Sequence, residues 1–358
     1  DSSVLAECLR KEESQELLVE LLDAVGHGYE LLSPSLEELL HHMDKRVRSK
    51  AVDGLSKLGK ELPSDQLEVL MSDPSNKVRA SAVKLRWMRE RQSMKDLVLA
   101  DLGGVDLKRQ RCAIYLLGQL KPFDEAADLL CQRLLHSSIH VRRMAAESLL
   151  SLDGPIDAGA LVASFVRERD GQVRELLAEV LASERTDTEG ALRLLSEKLE
   201  GSEPQDDDQR ALAARGLAEI GTQSALPFIR RAIRDDDSRV RANAIEGLSR
   251  WGGDDARSLL KELLFDESPR VCANAALELY HMGSEEAIPS LIEMLESCES
   301  RKQGCAAFAL GEIGTEEVVA PLSEAYQLLS SQIVSTDEQV YVRENVSRAL
   351  AKIRDGKQ

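Results

Sequence analysis

Six cysteines, six histidines and 63 acidic residues are the side chains in this sequence with chemistry to offer. A metal centre needs thiolates and imidazoles at short, matched spacings. Cys8, Cys112, Cys131, Cys272, Cys298 and Cys305 include no C-x-x-C pair. Cys298 and Cys305 are seven residues apart and share a helix face only if one helix spans both. The cysteines therefore read as small apolar core residues of a reducing, cytoplasmic compartment, and no metal is expected. His41 and His42 diverge by about 100° on a helix and read as surface residues. There is no G-x-S-x-G, H-E-x-x-H or phosphate loop, the short motifs that would point to hydrolysis or nucleotide binding. Gly103–Gly104 and Gly252–Gly253 read as helix stops. Carboxylates are so frequent that pairs of them arise by chance and assign no acid–base role. Neither an enzyme activity nor a cofactor is expected.

Arginine behaves differently. In RVRANAIEGLSRWG, residues 239–252, a helix places Val240, Ala244, Leu248 and Trp251 in one arc. Arg241 falls inside that arc, about 100° from Val240. The same apolar frame recurs along the chain, and its arginine slot holds Arg48, Arg79, Arg111, Arg142, Arg174, Arg210 and Arg241, then Cys272, Gln303 and Arg343. Most steps are 31 or 32 residues. A period of that length held over most of a chain marks a solenoid of stacked units. Aspartates lie four to six residues before most of these arginines, as Asp44 does before Arg48 and Asp73 before Arg79. A guanidinium aimed into a core needs a carboxylate and further acceptors. The slot therefore reads as an Asp–Arg ladder stitching neighbouring inter-helix turns.

Each unit contains two helical stretches. SALPFIRRAIRD (224–235) precedes RVRANAIEGLSRW, with an Asp-rich turn between them and Gly252 or Gly253 behind. Aromatics are 3% and AVILMFWYC residues 43%, so the core must come from Ala, Leu, Val and Ile, which suits packed helices. No apolar run is long enough to span a bilayer, no basic-then-apolar signal segment opens the sequence, and no membrane insertion is expected. The net charge of −17 opposes phosphate backbones and favours basic partners. Nucleic acid is therefore not an expected partner.

These features, D-x(2–4)-V-R-x-x-A-A-x-x-L-x-x-I/L-G with an A-x-x-x-L stretch before it, resemble the HEAT-repeat family, particularly the short bacterial form found also in phycobilin lyase subunits. The resemblance covers roughly residues 44–353 and implies an all-α fold, a right-handed α-solenoid of about ten helical hairpins that binds other proteins. Residues 1–42 then form capping helices, a degenerate repeat with Leu17 in the arginine slot. Residues 43–358 form the solenoid, continuous with the cap as a single domain. Two polar insertions, 202–209 and 329–340, read as loops.

In solenoids of this family the second helices line the concave surface. Their outward positions give Trp87, Met88, Leu116, Met144, Leu176, Leu212, Asn243, Glu246, Asn274, Leu277, Tyr280 and Phe308. Apolar residues rimmed by charge suggest a groove for another protein; alternatively, superhelical curvature buries them between neighbouring helices. The frame is least secure at 108–120, where Gln110 precedes the slot in place of Val. The expected function is a non-enzymatic scaffold or adaptor whose concave face holds a helix or extended segment, basic on charge grounds. The alternative from the resemblance is a lyase- or chaperone-like subunit acting on a chromophore-bearing protein.

Overall fold

The computed structural model describes residues 2–12, 14–23, 32–200, 207–284, 286–331 and 336–356. Among them are 22 α-helices and no β-strand. The chain divides into two compact units, Asp1–Asp157 and Ala158–Gln358. In the first, five hairpins follow one another, with second helices Gln15–Asp23, Lys45–Lys57, Asn76–Trp87, Leu107–Gln119 and Ile139–Leu150. In the second there are six, with second helices Gly171–Leu181, Asp207–Ile220, Ser238–Trp251, Pro269–His281, Ser300–Ile313 and Asp337–Asp355. Within each unit every second helix packs on the second helix of the next hairpin. That ordered stacking makes each unit a stretch of α-solenoid.

Local chemistry starts and stops these helices. The Asp44, Asp106, Asp170 and Asp237 carboxylates each accept a backbone N–H from the first turn of the helix that follows. Thr336 and Gln339 form a reciprocal capping box before the last helix. Gly252, at φ +64°, ends Ser238–Trp251, a conformation that suits glycine alone. The insertions are shorter than the sequence suggests. Residues 202–206 and 332–335 lie outside the described residues, but Asp207 onward is helical, and so are Leu329–Ser331 and Asp337–Val340.

Small residues let neighbouring second helices approach closely. A Cβ on Gly247 would lie 2.6 Å from Ala218 Cα, and one on Gly118 would lie 2.8 Å from the Ser148 carbonyl. Ala213, Ala214, Ala244, Ala275, Ala276 and Ala306 of the second helices are fully buried. This is why the core is rich in alanine and nearly free of aromatics.

The arginine slot is the fourth residue of nearly every second helix. Arg241 is 6% exposed. Its Nη1 donates to the Asp235 and Asp236 carbonyls of the preceding turn at 2.7 and 3.0 Å. Its Nε and Nη2 donate to Asp266 Oδ2 and Oδ1 at 2.9 and 2.8 Å. Arg48 repeats this on the His42 and Met43 carbonyls and on Asp73. Arg210 reaches Asp235 at 3.5 Å. Arg79, Arg142 and Arg174 donate to the carbonyl six residues back.

Two sequence expectations change here. Where an aspartate binds the arginine, at Arg48, Arg210 and Arg241, it is the one 25 residues ahead, in the next turn. The preceding turn supplies carbonyls to Arg48, Arg79, Arg142, Arg174 and Arg241. Arg111 also leaves the ladder. It is the fifth residue of its helix, and its Nε lies 3.3 Å from Met144 Sδ. Gln110 stands in the slot and donates to the Gly104 carbonyl, again six residues back. Cys272 makes the same contact, Sγ to the Asp266 carbonyl at 3.0 Å, while Gln303 reaches the Leu295 carbonyl. The residues 25 ahead of Gln110, Cys272 and Gln303 are Leu135, Ser297 and Leu328, so these three units have no aspartate there for an arginine to bind.

Candidate protein-interaction surface

The outward positions of the second helices separate into three groups. Trp87 and Leu116 are 2% and 3% exposed and belong to the core. The Trp87 ring stacks on Phe123 at 5.6 Å, and its Nε1 donates to the Lys121 carbonyl at 3.2 Å. Leu116 is buried because the frame slips by one at Gln110. Tyr115 occupies the outward position instead and lies exposed beneath Lys84 Nζ, 5.9 Å from the ring centroid. The Gln110–Arg111 order was the signal for this residue.

The second group sits half-buried against the neighbouring second helix. Asn243 Nδ2 donates to the Ala211 carbonyl at 2.7 Å, and Asn274 Nδ2 to the Ala242 carbonyl at 3.3 Å. Ser49 and Ser81 meet at 3.2 Å across the corresponding seam of the first unit. Met144, Leu176 and Leu212 are half-buried at the same position. Leu277 and Tyr280 pack against the core of the last hairpins. These side chains join helices as well as facing outward, which curvature between stacked hairpins requires.

Met88 and Phe308 form the third group, 74% and 59% exposed. In the second unit Phe308 shares its repeat position with Glu246 and Leu277, on the second helices of successive hairpins. Glu246 is half-buried and has no ion pair among the described residues. Burial pushes its carboxyl above the usual range, with Glu219 and Glu278 adding to the rise and Arg215 and Arg270 opposing it. Arg215 instead contacts Glu219 at 3.4 Å, and Glu278 meets His281 Nδ1 at 3.4 Å. The ridge thus combines a half-buried carboxylate, without an ion pair among the described residues, and an exposed aromatic ring.

The model of the HEAT-repeat family matches three overlapping windows, residues 192–278, 234–304 and 257–335. Residues 192–335 are HEAT repeats. The hairpin stacking and arginine contacts of both units follow from the same periodic sequence. Among solved structures, this chain is similar to Kap95p, in a complex whose formation induces the switch loops of RanGDP to adopt the GTP-bound conformation. Its TM-score is 0.50 at 14% identity, over 98% of this chain and 56% of that one. The karyopherin Kap121p, bound to Pho4p, gives 0.47 at 14% identity, over 98% and 45%. The chain spans about half the length of these two proteins, and the likeness is one of fold. No curated protein matches the sequence.

No described helix is long and apolar enough to cross a membrane. Among the described residues no group of three or more His, Cys, Asp or Glu is arranged to hold a metal ion. Burial raises the thiols of Cys112, Cys272 and Cys305, and pushes Cys131 up to about 12. Such thiols stay protonated and are poor nucleophiles. Cys298 precedes the helix Ser300–Ile313 that carries Cys305, so no single helix spans both.

Proposed function

We propose that this chain is a non-enzymatic protein-binding scaffold, and that the second-helix ridge of its second unit holds a helix or extended segment carrying a basic residue beside an apolar one. The observation that carries this reading is Glu246. Burial leaves this carboxylate poorly solvated, with Arg215 and Arg270 drawing it and Glu219 and Glu278 repelling it, and a partner's lysine or arginine offsets the desolvation. Phe308, on the same repeat position, gives an apolar side chain something to cover. A stacked array offers broad contact area without a deep pocket.

The test uses a partner isolated with the full chain. Phe308→Asp and Glu246→Lys should each weaken its binding at least tenfold while the melting temperature changes little for Phe308→Asp. Undiminished affinity in both variants refutes the ridge as the binding surface.

A further inference from the structure

The second residue of the second helices is repeatedly basic: Arg46, Lys77, Lys108, Arg239, Arg270 and Arg301. A cation there opposes the helix macrodipole, so it does nothing for its own helix unless something neutralises it. Arg46 and Arg239 turn back onto their own capping aspartates, Asp44 and Asp237, at 2.7 and 2.8 Å. Arg270 and Arg301 differ. Neither has a carboxylate within ion-pair distance among the described residues, although the chain is strongly acidic. Arg270 Nη2 donates to Asn243 Oδ1, at 3.5 Å. Both arginines line a cavity of about 640 Å³ in the second unit, together with Pro269 and the exposed ring of Tyr341. Asp337 and Glu338 also line it.

We propose that this cavity is a second docking site, for an extended acidic segment of a partner protein, its carboxylates seated on Arg270 and Arg301. Helices in contact lie about 10 Å apart, so equivalent side chains of adjacent hairpins have about that separation. An extended chain in the polyproline II form has three residues per turn and advances about 3.1 Å per residue, which places every third side chain on one face and in register with the two arginines. Arginine forks match carboxylates geometrically, and Pro269 and Tyr341 give the intervening residues an apolar floor. Asp337 and Glu338 confine the acidic residues to one part of the cavity and favour a neutral or basic continuation over them. Arg270 also acts on Glu246 of the ridge, whereas Arg301 belongs to this cavity, so loss of acidic-peptide binding in Arg301→Glu alone separates this site from the ridge.

Fluorescence anisotropy with the full chain tests it directly. The probe is a labelled peptide of four Asp-Gly-Ser triplets; the control has the same composition with its aspartates contiguous, and a single-stranded oligonucleotide of equal charge is a second control. The spaced peptide should bind at least fivefold tighter than the clustered one. Arg270→Glu with Arg301→Glu should weaken it at least tenfold without shifting the melting temperature. Equal binding of the two peptides, full affinity in the double variant, or tighter binding of the oligonucleotide overturns the proposal.

Discussion

The Arg241 guanidinium grips the Asp266 carboxylate of the next inter-helix turn through two parallel hydrogen bonds of 2.9 and 2.8 Å. Its Nη1 donates to the carbonyls of the turn behind, and its Nη2 also reaches Glu267. One side chain therefore ties three consecutive features: the preceding turn, its own helix and the following hairpin. Breaking such a buried pair leaves a carboxylate and two carbonyls without their donor. Arg241→Ala should cost about 3–5 kcal/mol, read as a fall in the denaturant midpoint. Arg241→Lys should recover only part of it, because an ammonium cannot hold both carboxylate oxygens and both carbonyls. A midpoint unchanged in Arg241→Ala contradicts the ladder.

The one-residue slip at 110 makes a paired prediction. Gln110→Ala removes a donor from the Gly104 carbonyl and should cost about 1 kcal/mol. Arg111→Ala should stay within about 0.5 kcal/mol. Thermal melts of the two variants decide it, and the reverse order restores Arg111 to the slot.

Gly247 sits where a methyl group has no room. Gly247→Ala would drive a Cβ into the Ala218 backbone, and overpacking of this kind costs about 1–3 kcal/mol. On an open helix the same change would stabilise. A rise in melting temperature would show that the seam is looser than this contact.

Glu246 sets a pH dependence of unusual sign. Its folded pKa is raised, so across the window that begins at the ordinary glutamate value, about 4.3, the native state binds more proton than the unfolded one. Stability therefore falls as pH rises through that window. Glu246→Gln removes this component and should be more stable than the parent at pH 7, with the gap closing toward pH 4. Melting curves across that range check it; a constant gap contradicts the assignment.

The period, the helix pairs and the arginine slot are legible in the sequence because each depends on local order: apolar spacing, capping aspartates, stop glycines. Asp266 as the partner of Arg241 is less legible, since several aspartates lie near each turn and only stacking selects the one 25 residues on. Trp87 reads as an outward residue by spacing, yet Phe123 and the Lys121 carbonyl from the next hairpin enclose it. Asn243 and Asn274 similarly look like contact residues until the neighbouring backbone appears beside them. Half-burial is a property of the stack, and periodicity within one helix does not report it. Phe308 remains exposed on the ridge, while Glu246 and Leu277 at the same repeat position are half-buried.

The most direct measurement is site-specific photo-crosslinking in the full chain, with a photoreactive residue at 308 and, as a comparison, at the exposed Val69 or Leu328 of first helices. Position 308 should yield one discrete partner adduct, mapped to a segment with a basic residue beside an apolar one and lost in the Glu246→Lys background. Adducts equal in kind and yield from 69 or 328, or none from 308, would contradict the account.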